Sequence, residues 1–256
     1  MVMGDIRAAW MGLEEHWRIT PTGKKMSSNL SYDFMRFTIA TAIRMIVRMK
    51  LKGLSNIPKG GATILAANHL SHIDPIVIIS SCRRKTHYLA KEGHFKNIFL
   101  ASFMRLTGQI ETERETGGDE ALSRAADILE KNRALGIFPE GTRSKRNEKP
   151  FLLPGKTGIA RLAASYPDIP IVPIGINGSR EFMRPNYHKL PRPWKKVTLS
   201  YGKPVTWIEW IGKRSSTEEL LALADKDDYE VKEALAKLYR TFTDEFMERL
   251  KDLGAP

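Results

Sequence analysis

The feature that most constrains the fold is an alternation of short apolar runs with helical patterns, which starts near residue 54. The first run, residues 62–67, contains β-branched residues and follows Pro58 and Gly60, as a buried strand would. The predicted strands are residues 63–67, 87–90, 135–138, 171–176 and 197–201. The predicted helices between them are residues 75–81, 95–106, 119–131 and 157–165, and residues 217–251 predict one or two further charged helices. This alternation predicts an α/β fold with a largely parallel central sheet flanked by helices.

The first part of the chain predicts a helical extension. A possible short helix carries Trp10 and Trp17, which could be interfacial anchors or pack on the protein body. Residues 32–50 place Arg36, Arg44 and Arg48 on one narrow stripe of an otherwise apolar helix. Such a helix can lie at a membrane interface, but the pattern alone favours a helix docked on the domain. We therefore divide the chain into an N-terminal amphipathic helical extension, residues 1–53, and an α/β domain, residues 54–256.

Charge narrows the possible partners. The net charge is +12, and residues 215–256 hold six Lys or Arg against 11 Asp or Glu, so the excess of positive charge lies in the preceding part. A basic body attracts nucleic acid, an anionic membrane surface or phosphorylated small molecules. No nucleic-acid motif is present, and the aromatic residues are not interleaved with basic ones as stacking platforms require, so we expect no nucleic acid partner.

The sequence predicts neither a signal peptide nor a membrane-spanning helix. Residues 1–30 lack an apolar core of signal-peptide length, and no run approaches the roughly 18 uncharged apolar residues of a membrane-spanning helix. The single cysteine, Cys82, excludes an internal disulfide and suits a reducing compartment. We expect a protein without a transmembrane span that can still lie on a membrane.

The first motif with chemistry follows the strand predicted at residues 63–67. His69 is a candidate general base, and Asp74 could fix its tautomer, provided that the chain between them turns. The alternative is a structural histidine beside an aspartate that caps the helix starting at Pro75. His69, His72 and Asp74 could also ligate a metal, but the spacing is not that of metallo-hydrolases and no further His or Cys cluster supplies ligands. We therefore predict no metal site.

A second motif, residues 138–144, follows another predicted strand. Gly141 allows close backbone approach to a ligand, Thr142 can donate a hydrogen bond, and Arg143 can bind a phosphate through two donors. The alternative is a charged surface turn. Two further candidates are residues 108–114, where Arg114 follows a strand-like alternation, and the apolar run at 171–176, which contains Pro173.

Together these four blocks resemble the glycerolipid acyltransferase family, specifically its 1-acylglycerol-3-phosphate acyltransferase branch. Asn68-His69 through Asp74-Pro75 is similar to the family's His-four-Asp block, and Phe-Pro-Glu-Gly-Thr-Arg-Ser at 138–144 to its third block. Residues 108–114 and 172–174 correspond to the second and fourth blocks, in the same order. The second block departs from the family, because Glu111-Thr112-Glu113 stands where two hydrophobic residues and Asp are more common.

The resemblance implies acyl transfer from acyl-CoA or acyl carrier protein to a lysophospholipid hydroxyl, with no further cofactor and no acyl-enzyme. His69 would deprotonate the hydroxyl and Asp74 would orient His69. The implied substrate-binding residues are Lys91, Arg114, Glu140, Gly141, Thr142 and Arg143. Among them, the arginines and Lys91 would hold the acceptor phosphate, and Glu140 would be a positioning residue.

The implied product is phosphatidic acid, made in phospholipid biosynthesis by acylation of the sn-2 hydroxyl of 1-acylglycerol-3-phosphate. Other lysophospholipids, glycerol-3-phosphate and a non-catalytic role in binding anionic lipid are the alternatives. Because the implied acceptor is a lipid, we now expect the helix at residues 32–50 to lie at a membrane interface. The resemblance therefore implies a peripheral protein at the cytoplasmic face of an anionic membrane.

Overall fold

A computed structural model describes residues 2–24, 38, 40–82, 84–91, 110–112, 118–184, 187–188 and 190–256. In this part of the chain, seven strands form one sheet in the order β1-β7-β6-β2-β5-β3-β4. The strands are β1 (Arg48–Lys52), β2 (Thr63–Ala67), β3 (Thr86–Lys91), β4 (Ile110–Thr112), β5 (Ala134–Ile137), β6 (Ile171–Asn177) and β7 (Lys196–Tyr201). The α/β fold predicted from the sequence is confirmed.

Strand direction divides the sheet into two parts. Strands β2 to β6 are mutually parallel, whereas β7 pairs antiparallel with β6 and β1 pairs parallel with β7. The carboxyl ends of β2, β5 and β6 therefore lie at the same edge as the starts of β7 and β1. We call this edge of the sheet the catalytic edge, because the candidate site described below lies there.

Helices cover both faces of the sheet. They are α1 (Val2–Met11), α2 (Glu14–Trp17), α3 (Asp74–Ser81), α4 (Gly118–Glu130), α5 (Gly158–Ser165), α6 (Ser179–Phe182), α7 (Trp207–Ile211), α8 (Thr217–Ala224) and α9 (Asp228–Asp252). Residues 40–46 are also helical, and Leu54–Asn56 form a 3-10 turn. The helix predicted at residues 95–106 lies outside the described residues. None of the described helices is long and apolar enough to cross a membrane.

Two hydrophobic clusters, one on each face, account for the apolar character of β2. All five residues of β2 are buried, because Ile64 and Ala66 face one cluster while Leu65 and Ala67 face the other. The larger cluster includes α1, α4, α5, α7 and α9, and the smaller one includes α3 and α6. A strand covered on both faces shows a continuous apolar run, which explains why β2 was predicted with its observed bounds.

The N-terminal helices pack into the larger cluster. The Trp10 side chain is fully buried, its indole N–H donates to the Ala164 carbonyl at 3.0 Å, and its ring lies 5.1 Å from that of Trp207. Trp17 stacks on Trp10 with ring centroids 5.8 Å apart. Of the two roles open to these tryptophans, the structure therefore shows packing on the protein body. The domain boundary at residue 53 stays a prediction.

The helix predicted at residues 32–50 does not reach residue 50. Most of the segment before residue 40 lies outside the described residues, and Arg48 already begins strand β1. Along β1, Arg48, Lys50 and Lys52 are exposed, while Met49 and Leu51 turn toward the smaller cluster. Alternating lysines are typical of an edge strand, since charge there hinders pairing with other chains. The stripe of arginines concealed this change of period.

A glycine in β5 leaves room for the aromatic side chain of Tyr88. The Tyr88 ring on β3 covers Gly136, so a Cβ at Gly136 would lie 2.2 Å from a ring carbon. We expect Gly136→Ala to lower the free energy of unfolding by about 1–3 kcal/mol, because the ring must shift within packed strands. Urea denaturation measures this change. Gly60→Ala is the matched control, since nothing lies within 4 Å of its added methyl; equal stability of the two variants would contradict the prediction.

Candidate active site

The candidate site lies at the catalytic edge, where three segments that are far apart in the sequence meet. Residues 68–75 leave β2, residues 138–144 leave β5, and β6 ends beside them. Because β2 pairs with both β5 and β6, the loops that follow these strands are necessarily neighbours. Ligands of parallel α/β sheets bind at this type of edge.

His69 and Asp74 meet there. The Nδ1 atom of His69 lies 2.9 Å from Oδ2 of Asp74, although the residues are five positions apart. The chain turns between them, as the sequence argument required. Asp74 is fully buried, whereas the His69 side chain remains 16% exposed. A carboxylate can only accept, so in the neutral imidazole this contact places the proton on Nδ1 and leaves the lone pair on Nε2.

The Asp74 carboxylate also holds the turn itself. Its Oδ2 atom accepts the backbone N–H groups of Leu70 and Ser71, both at 2.6 Å. The other oxygen, Oδ1, is buried and has no hydrogen-bond partner among the described residues. The alternative of Asp74 as a helix cap does not hold, because α3 begins at Asp74 and its N-cap, Ile73, makes no side-chain cap bond. The carboxylate is instead committed to the preceding turn.

Glu140 joins the loop after β5 to the loop after β2. Its Oε1 atom accepts the backbone N–H of His69 at 2.6 Å, and its Oε2 atom accepts that of Leu153 at 2.8 Å. Burial raises the pKa of Glu140 to about 7, although the two N–H donors act in the opposite direction. Both carboxyl oxygens of Glu140 therefore bind backbone N–H groups, one of which belongs to His69.

Arg143 lies in the loop after β5, beside the turn that carries His69. The N–H of Ser144 donates to the His69 carbonyl at 3.0 Å, which fixes residues 140–144 beside the His69 turn. The Arg143 guanidinium contacts the exposed His72 ring, with Nη1 2.8 Å from Nε2. Partial burial lowers the pKa of Arg143, while the Asp74 carboxylate acts to raise it. A guanidinium remains charged, so Arg143 supplies positive charge next to His69.

The remaining predicted residues differ in what the structure shows. Gly141 has φ +68°, and its missing side chain leaves room for the Lys156 chain, whose Cδ would lie 3.0 Å from a Cβ. Thr142 is exposed. Lys91 ends β3 in register with Thr112 of β4, at the catalytic edge. Arg114 follows two residues later and lies outside the described residues.

An aromatic stack beneath His69 was not predicted from the sequence. The Phe138 ring lies parallel to the His69 imidazole, with centroids 3.9 Å apart and planes 11° from parallel. The Tyr88 ring stacks on Phe138 in turn, with centroids 5.4 Å apart. The stack restricts rotation of the imidazole and so favours the orientation that Asp74 selects. Gly136 was the available signal, because a glycine within a strand often marks close packing.

Two polar side chains anchor the loop, and neither was predicted from the sequence to do so. Asn68 donates to the Ile176 carbonyl at 2.9 Å and accepts the Ile176 N–H at 2.7 Å, which ties the loop to β6. Ser71 donates its hydroxyl hydrogen to the Met183 carbonyl at 2.6 Å. Both partners come from distant parts of the chain, so spacing in the sequence could not identify them.

The arrangement has the parts for proton abstraction next to an anion. His69 can present its Nε2 atom to a hydroxyl, the Asp74 carboxylate can stabilise the positive charge that the ring would gain, and the Arg143 guanidinium can bind an anion. A hydroxyl attached to a phosphorylated compound would suit both features. Hydroxyl activation of this kind permits acyl transfer without a protein nucleophile.

Comparison with known proteins assigns the chain to a class. The model of a family described as Acyltransferase matches residues 48–177, slightly more than half of the chain, and this span contains His69, Asp74 and Arg143. The chain belongs to the Acyltransferase family.

Individual relatives agree with this class. The 1-acyl-sn-glycerol-3-phosphate acyltransferase of Bacillus subtilis (strain 168) is 25% identical over 204 residues, which cover 78% of this chain and 96% of that protein. The yeast enzyme of the same name, from Saccharomyces cerevisiae, is 28% identical over 209 residues, covering 80% of this chain and 61% of that protein. The crystal structure of the 1-acyl-sn-glycerophosphate (LPA) acyltransferase PlsC from Thermotoga maritima superposes on this chain with a TM-score of 0.53 and 19% sequence identity. The superposition covers 84% of this chain and 80% of the Thermotoga chain, which shows that the two share a fold.

The raised pKa of Glu140 gives a prediction about stability. A glutamate in the unfolded chain titrates near 4.5, whereas folded Glu140 titrates near 7, so between these values the folded protein holds a proton that the unfolded chain lacks. This contribution to stability is fully present below pH 4.5 and is lost as the pH rises to about 7. We expect the free energy of unfolding to fall over this interval in wild type, but less so in Glu140→Gln.

Urea denaturation at a series of pH values measures the difference between the two proteins. Glu148→Gln, an exposed carboxylate nearby, is the control and should reproduce the wild-type profile. A wild-type profile parallel to that of Glu140→Gln would contradict the assignment.

Proposed function

We propose that the protein is a 1-acylglycerol-3-phosphate O-acyltransferase, which transfers a fatty acyl group from acyl-CoA or acyl carrier protein to the sn-2 hydroxyl and yields phosphatidic acid. The observation that carries the proposal is the His69–Asp74 pair, 2.9 Å apart, with Arg143 beside it within the span matched by the family. The names of the Bacillus and yeast relatives support this choice of acceptor. Membership in phospholipid biosynthesis follows from the product.

In the proposed reaction, His69 Nε2 takes the proton of the acceptor hydroxyl. The alkoxide oxygen then attacks the thioester carbonyl carbon, and the tetrahedral intermediate expels the thiolate, which recovers the proton from the imidazolium. Asp74 holds Nδ1–H during both transfers and stabilises the charged ring. Glu140 keeps the His69 backbone in place, and Phe138 supports the ring from below.

In the proposed complex, the acceptor phosphate lies against Arg143, with Lys91 and Arg114 as further cations and Gly141 and Thr142 lining the approach. The guanidinium projects from the turn that is bonded to the His69 carbonyl through Ser144. A phosphate bound by Arg143 would thus be held at a fixed separation from the base. The acceptor is a membrane lipid, so the proposal also places the protein peripherally at the cytoplasmic face of an anionic membrane.

Substitution of the base tests the mechanism. We expect His69→Ala to lower kcat by about 10²- to 10⁴-fold, because general-base catalysis contributes that much, and Asp74→Asn to cause a smaller loss. The assay uses lysophosphatidic acid with labelled acyl-CoA or acyl carrier protein and measures phosphatidic acid. His16→Ala, whose ring pairs with Asp228 away from the site, is the control and should retain activity. Formation of no product by wild type with either donor would refute the proposed function, and near-normal turnover by His69→Ala would refute the mechanism.

Substitution of Arg143 tests the phosphate subsite. We expect Arg143→Ala to raise KM for the lysophosphatidic acid by about 10- to 100-fold, the effect of losing charge-assisted hydrogen bonds to a phosphate. Arg143→Lys should recover part of this loss, since a single ammonium replaces the fork of the guanidinium. The control is Arg161→Ala, which removes an arginine paired with Asp119 on the outer helices. Unchanged KM in both Arg143 variants would place the phosphate elsewhere.

A further inference from the structure

A second surface lies beside the candidate site, in the loop that joins α6 to β7. Tyr187, Leu190 and Trp194 are 63%, 78% and 64% exposed, which is unusual for such large apolar side chains. We call these three residues, together with Arg184, Arg192 and Lys195, the docking surface. Backbone hydrogen bonds hold its ends, since the N–H of Arg192 donates to Phe182 and that of Lys195 to Arg192, both at 2.9 Å.

The docking surface has charge of one sign. The sequence contains no Asp or Glu between Glu181 and Glu209, and all charged residues in that interval are Lys or Arg. The Arg184 guanidinium lies 3.7 Å from the centre of the Tyr187 ring, so cationic and aromatic groups are interleaved. A partner that suits this surface must be negatively charged and must accept large apolar groups.

The docking surface adjoins the candidate active site directly. Met183, the residue before Arg184, accepts the hydrogen bond from the Ser71 hydroxyl in the His69 turn. Arg184 donates to the Asn147 side chain at 2.6 Å, in the loop that continues from Arg143. Because β7 runs antiparallel to β6, the loop enters the sheet at the catalytic edge. A partner bound to the docking surface would therefore face the base.

A second chain segment extends the apolar surface along the same edge. Met45 and Ile46, which are 77% and 48% exposed, precede β1. In the sheet register Arg48 of β1 pairs with Lys196 of β7, so Ile46 and Trp194 each lie two residues before a paired position. Exposed apolar residues thus precede each of these two neighbouring strands, and each strand starts with a basic residue.

We infer that the docking surface binds the surface of an anionic lipid bilayer, with Leu190 and Trp194 entering the boundary between headgroups and acyl chains. Tryptophan and tyrosine favour that boundary, and lysine and arginine gain from the negative potential of anionic lipids. The inference deepens the proposed function, on which it rests, because a lipid acceptor must leave the bilayer close to His69. The membrane contact inferred here therefore differs from the one considered from the sequence, in which Trp10 and Trp17 were the anchors, because both of these side chains are buried in the core.

The five tryptophans allow a direct test. Trp10, Trp17, Trp207 and Trp210 are at most 5% exposed, so Trp194 is the one that a lipid can reach. Vesicles of phosphatidylcholine and phosphatidylglycerol, brominated on the acyl chains, quench tryptophans that enter the bilayer. We expect quenching in wild type and its loss in Trp194→Phe. Equal quenching of the two proteins, or none in wild type, would overturn the inference.

Sedimentation with the same lipids, without bromine, tests the other residues. We expect Leu190→Glu to weaken binding about tenfold or more, and Lys195→Glu to weaken it at low salt, with little binding of any protein to phosphatidylcholine alone. Leu221→Glu is the matched control: Leu221 is 51% exposed on α8, outside the docking surface, so this substitution should leave vesicle binding unchanged. Circular dichroism checks that each variant is folded.

Binding is measured without turnover, so it can fail while the acyltransferase assay succeeds, or the reverse. If Leu190→Glu binds vesicles as wild type does, the docking surface is not the membrane contact and the segment before β1 becomes the main candidate.

Discussion

One carboxylate oxygen determines the shape of the site. Oδ2 of Asp74 accepts the backbone N–H groups of Leu70 and Ser71 and lies within hydrogen-bonding distance of the His69 ring. The two backbone bonds close the turn, and the closed turn is what brings a histidine five residues away into contact with the same oxygen. Since Asp74 is buried, these bonds form where water competes least. The turn and the proposed catalytic pair are therefore held by one interaction.

The sheet supplies the second constraint. Asn68 ties the turn to β6 through two hydrogen bonds, and Glu140 ties it to the loop after β5 through the His69 N–H. The strand between them, β2, is buried on both faces and cannot shift easily. His69 is thus held from both sides by neighbouring strands, with the Phe138 ring beneath it. Rigid elements of this kind favour accurate placement of a base.

Sequence reasoning predicted the central strands well, because β2, β5 and β6 are buried on both faces and show unbroken apolar runs. It missed β1, in which outward lysines alternate with apolar residues at the end of an arginine-striped segment. His69, Asp74 and Arg143 were predicted as candidate site residues because each follows a recognisable strand, whereas Glu140 was implied only by the family resemblance. Asn68, Phe138 and Ser71 were not assigned roles, because their partners depend on strand order, which local patterns do not encode. Whether these residues act in catalysis stays a prediction.

The hydrogen bond from Ser71 to Met183 has a geometric consequence. It joins the turn that carries the base to the first residue of the loop that leads through Leu190 and Trp194 into β7, and so it limits changes in the height of His69 relative to the start of that loop. If these two side chains rest in a bilayer, that height sets how far an acceptor must rise before its hydroxyl meets the base. Lipids would then be sorted by the distance between hydroxyl and headgroup, measured from the membrane plane, in addition to the fit of their phosphate.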